Sequence, residues 1–174
     1  IAEGRVRLIR NKDDLNSLST LDNKFDILED IDYILEHPNN NWNWESIIKN
    51  IIFDIINKDL VNWEKLTLIV PNKFIENSTQ LPWNYFRKSM NFSNSFIMNN
   101  KHLDFNWYEL SNKLPTKFII SNKYFNFNWY KITKDLPIKF ILENQEFNFN
   151  WFELTNKIPI SFINENKHLR FNWY

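Results

Sequence analysis

FNWYKITKDLPIKFILENQEFNFN, residues Phe127 to Asn150, returns to Phe-Asn after a step of 22 residues. The same step carries Phe-Asn-Trp through the chain, at Phe105-Asn106-Trp107, Phe127-Asn128-Trp129, Phe149-Asn150-Trp151 and Phe171-Asn172-Trp173. Relaxed copies lie upstream at Trp83-Asn84-Tyr85, Val61-Asn62-Trp63 and Trp42-Asn43-Trp44, the last after a shorter step of 19. Other columns keep the register. Phe-Ile recurs at Phe74-Ile75, Phe96-Ile97, Phe118-Ile119, Phe140-Ile141 and Phe162-Ile163. Pro recurs at Pro71, Pro115, Pro137 and Pro159, with Ser93 in the gap, and a hydroxyl residue recurs at Thr67, Ser89, Ser111, Thr133 and Thr155. A fixed period of this size marks an array built from one small unit.

Within a unit the residues predict two short helices. Asn128 suits a helix N-cap, because its side-chain oxygen can accept a free N–H of the first turn. Trp129 and Ile132 follow on one face. In sibling units Glu109 and Glu153 place a carboxylate beside the helix N-terminus. This first helix is expected to run about two turns and to stop before Pro137. Pro137 is expected at the first position of the second helix, where its missing N–H costs nothing. Phe140 and Ile141 anchor that helix. Its end is expected at Asn144, matched by Asn100, Asn122 and Asn166, with asparagine replacing glycine in a left-handed C-terminal conformation. Residues 145–149 connect to the next cap.

Alternation in Phe-Asn-Phe-Asn-Trp also suits a strand, so a β-containing solenoid is the alternative fold. Such arrays lean on glycine or closely spaced leucine, and this chain has a single Gly. The expected fold is therefore all-α, an α-solenoid of about six to seven helix-turn-helix repeats of 22 residues. No unit can bury its apolar face alone, and stacking would bury a continuous core with Trp107, Trp129, Trp151 and Trp173 as its spine. An aromatic ligand platform is the lesser reading of that column.

The array is expected over residues 25–174, continuing or truncated at its C-terminal end. A second-half unit is expected from Phe25 to His37. Between Trp44 and Asn62 the proline is missing, and Ile47, Ile48, Ile51, Ile52, Ile55 and Ile56 predict one merged helix. Residues 1–24 show no repeat and read as a cap, a junction or a tag remnant. Their basic residues Arg5, Arg7, Arg10 and Lys12 read as a solvated face or part of such a remnant before they read as a binding site.

The 174 residues carry 21 basic and 21 acidic side chains, so net charge is zero, which argues against a broad grip on nucleic acid or anionic lipid. There is no cysteine, which removes disulfides and thiolate metal sites and makes a reducing compartment the simpler setting. No apolar run approaches membrane-spanning length. The 29 asparagines could signal disorder, but 43% hydrophobic and 17% aromatic residues in regular columns can build a core.

The stretch Ile34-Leu35-Glu36-His37-Pro38-Asn39-Asn40-Asn41-Trp42-Asn43-Trp44-Glu45-Ser46-Ile47 resembles the Trp- and Asn-rich repeat proteins of giant viruses of the mimivirus group, whose units read roughly I-L-x-N-P-x-x-x-W-x-W. Later units look like degenerate members, with Phe for the first Trp and with the proline after Asn122, Asn144 and Asn166 lost. The resemblance covers about residues 25–174. It implies a viral protein in host cytoplasm or in the virion, and no activity.

Chemistry-bearing residues are sparse. His102 and His168 stand 66 residues apart, three whole repeats, and His37 stands alone. There is no metal-ligand spacing, phosphate loop or nucleophile elbow. The expected function is a non-catalytic scaffold for protein–protein interaction, without metal or cofactor, its variable columns including Lys131, Lys134, Asp135 and Lys139. A structural role in a virion or assembly is the alternative, and single-stranded nucleic-acid binding through stacked aromatics and lysines a weaker one.

Overall fold

A computed structural model describes residues 27–53 and 61–173. Every described element is helical, with no strand among the described residues, so the chain is all-α there and the β-containing alternative falls. Contacts divide the chain into two compact bodies, residues 1–88 and 89–174. Residues 1–24 with their basic cluster, the start of the unit at Phe25, and Ile55 and Ile56 lie outside the described residues.

The N-terminal body contains α1 (Ile27–Glu36), α2 (Trp44–Phe53), α3 (Trp63–Ile69), α4 (Asn72–Glu76) and α5 (Tyr85–Lys88). The C-terminal body contains a 3-10 turn at Ser89–Asn91, α6 (Asn94–Asn99), α7 (Trp107–Leu110), α8 (Thr116–Ser121), α9 (Trp129–Ile132), a 3-10 turn at Thr133–Asp135, α10 (Ile138–Glu143), α11 (Trp151–Leu154) and α12 (Ile160–Glu165). Through α2 the merged-helix expectation holds as far as Phe53.

The asparagine caps are where the spacing puts them. The side chains of Asn62, Asn84, Asn106, Asn128 and Asn150 accept from the backbone N–H of Lys65, Arg87, Glu109, Lys131 and Glu153 at 3.0–3.4 Å. The first helix is shorter than its expected two turns. In α7, α9 and α11 only four residues are α-helical. The second turn tightens to i→i−3 bonds, as in Lys113 N–H to the Leu110 carbonyl at 2.9 Å. Leu136, before Pro137, is extended, which ends the segment.

Two further expectations are corrected. Pro71, Pro115, Pro137 and Pro159 stand at the N-cap of the second helix rather than inside it, extended at ψ 135–141°. Their carbonyls start the helix, as Pro137 does by accepting from Ile141 N–H at 3.2 Å. Ser93 in the same column caps conventionally, accepting from Phe96 N–H at 3.1 Å. The second correction concerns Asn100, Asn122, Asn144 and Asn166. None is left-handed; their φ values run from −120° to −134°. Each side-chain amide instead donates to the carbonyl of the phenylalanine four residues earlier, at 2.7–2.9 Å. Asparagine is there as a donor that reaches a helix-end carbonyl. Ser78 does the same to Phe74, and His37 Nδ1 bonds the Tyr33 carbonyl at 2.9 Å, so His37 has a structural task.

Glycine at position 144 therefore discriminates between the two accounts. A left-handed cap would welcome Asn144→Gly, whereas loss of the amide donor at this buried residue should cost about 1–2 kcal/mol in chemical denaturation.

The core is an aromatic ladder. In the C-terminal body Trp107 stacks on Phe125 at 4.3 Å and Trp129 on Phe147 at 4.5 Å between ring centroids. The phenylalanine of each Phe-Asn-Trp meets its own Trp edge-on at 5.6–6.0 Å, and Trp107, Trp129 and Trp151 each meet the next such phenylalanine at 5.8–6.0 Å. Trp129 and Trp151 are buried, Trp107 is half-buried and Trp173 is exposed. Ile97, Ile119, Ile141 and Ile163 are buried in this body, as Ile75 is in the N-terminal one. Where the first aromatic is Trp, its indole N–H has a partner: Trp42 and Trp83 donate to the carbonyls of His37 and Ser78 at 3.0 and 2.9 Å.

The hydroxyl column ties successive units together. Thr67, Ser111, Thr133 and Thr155 donate to the carbonyl of the Trp four residues earlier, at 2.6–3.3 Å. Thr67, Ser89, Ser111, Thr133 and Thr155 each accept from the backbone N–H of the cap asparagine 17 residues later, at 2.7–2.9 Å. A second tie runs from Lys101 Nζ to Asn122 Oδ1 at 3.3 Å and from Lys123 Nζ to Asn144 Oδ1 at 2.5 Å.

One core position breaks the pattern. Lys88 stands where other units have Leu66, Leu110, Ile132 or Leu154, and it is buried. Its ammonium donates to the Thr67 carbonyl at 2.8 Å and to that of Val70. Lys113 reaches the equivalent region of the unit before it, the carbonyls of Met90 (2.7 Å) and Phe92. Burial holds both lysines below the usual value of 10.5, and burial pushes Tyr85 from 10.0 up to about 12. For the lysines the unfolded chain binds the proton more tightly, so stability falls as pH drops through their folded values and recovers toward 10.5. Tyr85 acts oppositely, its contribution being lost as pH rises from 10.0 through about 12. Urea midpoints measured from about pH 7 to about pH 10 should rise less steeply in Lys88→Met than in the parent chain.

Candidate interaction surface

Side chains left outside the core form two features on the C-terminal body. The first is a row of rings. Helical geometry turns each residue about 100° from its predecessor, so the residue after the ladder Trp faces away from the ladder. Tyr108, Tyr130 and Phe152 occupy this position and are 55%, 54% and 58% exposed. Phe86 holds the same repeat position in the N-terminal body and is 50% exposed. In the sequence Tyr174 also follows a Phe-Asn-Trp, and it lies outside the described residues. Solitary exposed apolar residues need no explanation, but an aromatic recurring at one position of successive units does. The residue after each ring is charged and exposed: Glu109, Lys131 and Glu153.

The second feature is an open groove of about 660 Å³ whose lining includes Asn112, Thr116, Lys131, Lys134 and Asp135. Three of the four residues expected to vary for recognition, Lys131, Lys134 and Asp135, thus meet along one groove. The fourth, Lys139, lies elsewhere, 3.9 Å from Glu143 across one helical turn. The groove carries both charge signs, and the hydroxyl of its one buried polar lining residue, Ser111, donates to the Trp107 carbonyl and accepts from the Asn128 N–H.

His102 and His168 are exposed. Among the described residues no group of three or more His, Asp or Glu could hold a metal. Glu109 and Glu153 sit in the first turns of α7 and α11, as their spacing predicts. No described helix is long and apolar enough to cross a membrane.

The ring row was legible as a fourth letter, Phe-Asn-Trp-Tyr or Phe-Asn-Trp-Phe. Hydrophobicity alone assigns that letter to the core with its neighbour. Only helix phase, fixed by where the asparagine cap starts the turn, separates the inward Trp from the outward ring. Comparison with protein-family models, curated proteins and solved structures returned no match. The fold and these surfaces therefore define the chain only as all-helical among the described residues, with a 22-residue sequence period and hydrogen bonds that recur with it.

Proposed function

We propose that the chain is an α-solenoid of 22-residue helix-turn-helix units that acts as a non-catalytic scaffold for protein–protein interaction. The exposed row Tyr108, Tyr130 and Phe152 carries this reading. Aromatic rings supply large contact area at small entropic cost and are enriched in interface cores. The recurring caps and hydroxyl ties support the solenoid, since each unit meets its neighbour in the same way. Single-stranded nucleic acid is disfavoured by charge, because a phosphate track calls for one sign and Glu109, Lys131 and Glu153 alternate. The resemblance to giant-virus repeat proteins is what supports a location in host cytoplasm or the virion.

The test compares the parent chain with a Tyr108→Ala/Tyr130→Ala/Phe152→Ala variant. Both are used as bait in nuclease-treated lysate at moderate salt, after matching thermal midpoints. A stoichiometric protein held by the parent and lost from the variant is the expected result. Equal capture by both would overturn the assignment of this row, and abundance in purified particles without capture would favour the structural role.

A further inference from the structure

Resting on the reading of the ring row as an interaction surface, we propose that its partner is a second copy of this chain, bound in antiparallel order. The charges beside the rings select this occupant. Glu109, Lys131 and Glu153 run acid, base, acid, all are exposed, and no ion pair among the described residues involves them. A strand of phosphates, an acidic peptide or a basic peptide would meet a repulsive charge at every second unit. The partner surface must itself alternate in sign, and the chain carries such a surface.

Antiparallel order makes the charges complementary and closes, with the two-fold axis on either side of α9; the register proposed is the one centred between α7 and α9. A two-fold axis between α7 and α9 faces Glu109 with Lys131 of the partner subunit, and by symmetry Lys131 with the partner's Glu109. Tyr108 then meets the partner's Tyr130. Parallel, in-register contact would set Glu109 against the partner's Glu109. The antiparallel contact is isologous and ends at a dimer. In the N-terminal body Arg87, at the same repeat position, is already engaged by Glu64 at 2.7 Å, so its charge is locally satisfied. The three half-exposed rings offer about 300 Å² together, below the ~800 Å² per partner of a standard interface. The dimer should accordingly be weak, forming in the micromolar range and loosening with salt.

Sedimentation velocity of the full chain at low ionic strength tests this with charge reversals. The parent should dimerise. E109K and K131E should each weaken dimerisation about tenfold, since each reversal strikes both symmetry-related contacts. The double variant E109K/K131E should recover parental affinity, because every pair is then reversed. These residues are exposed, and matched denaturation midpoints would show that the variants fold. A parent chain monomeric throughout the micromolar range, single reversals without effect, or a double variant that stays monomeric would overturn the proposal. If the parent is monomeric yet the alanine variant loses a captured protein, self-association falls and the scaffold reading stands. If the parent is monomeric and that variant captures what the parent captures, both fall.

Discussion

Trp129→Ala is expected to destabilise the C-terminal body by about 3–5 kcal/mol. Trp129 is 7% exposed and holds four rings: Phe147 face to face at 4.5 Å, Phe127 at 5.6 Å, Phe140 at 5.8 Å and Phe149 at 6.0 Å. Phe127 belongs to the start of the same unit and Phe149 to the start of the next. Alanine leaves a cavity where two units share their core, and the surrounding rings cannot collapse onto it without leaving their own partners. In an array stabilised by nearest-neighbour contacts, a loss at one junction also weakens cooperation across it. Urea unfolding followed by circular dichroism would read the change. Trp129→Phe should cost less than half as much, because Tyr85 already fills this column and is 5% exposed. An unchanged midpoint for Trp129→Ala would remove the ladder from the account of stability.

Thr133→Val should cost about 2–3 kcal/mol with almost no change of shape. The Thr133 side chain is 0% exposed, donating to the Trp129 carbonyl at 2.7 Å and accepting from Asn150 N–H at 2.9 Å. Valine fills the same volume but leaves the Asn150 N–H buried without its acceptor, at a residue 8% exposed. That cost exceeds the net worth of an ordinary hydrogen bond, because an unmet buried donor forfeits its hydration. Thr133→Ser should restore most of the stability, since Ser89 and Ser111 make the same tie in their units. Amide exchange at Asn150 offers a local reading. Protection that survives valine and disappears only on global unfolding would show that the hydroxyl tie is dispensable.

Much of the local fold could be read from residue identity. The asparagine before each aromatic can cap a helix, and it does so unit after unit. Proline ends one helix and opens the next, displaced by a single position from where its missing N–H had suggested. The C-terminal asparagines were placed correctly for a different reason. Their amides are used as donors, and backbone conformation is not the cause, a distinction that spacing cannot make because both uses fall on the same residue. In the sequence Lys88, a lone lysine between apolar columns, looks like surface. Burial on the carbonyls of Thr67 and Val70 becomes visible only when the preceding unit is packed against it.

The period, the helical class and the identity of the core columns are properties of the sequence, because capping, proline geometry and apolar spacing act within a few residues. The hydroxyl ties, the lysine bridges and the outward ring row were decided by tertiary structure. Each depends on groups 17 to 23 residues apart, or on the phase at which a helix starts, and so takes form only when one unit is laid on the next.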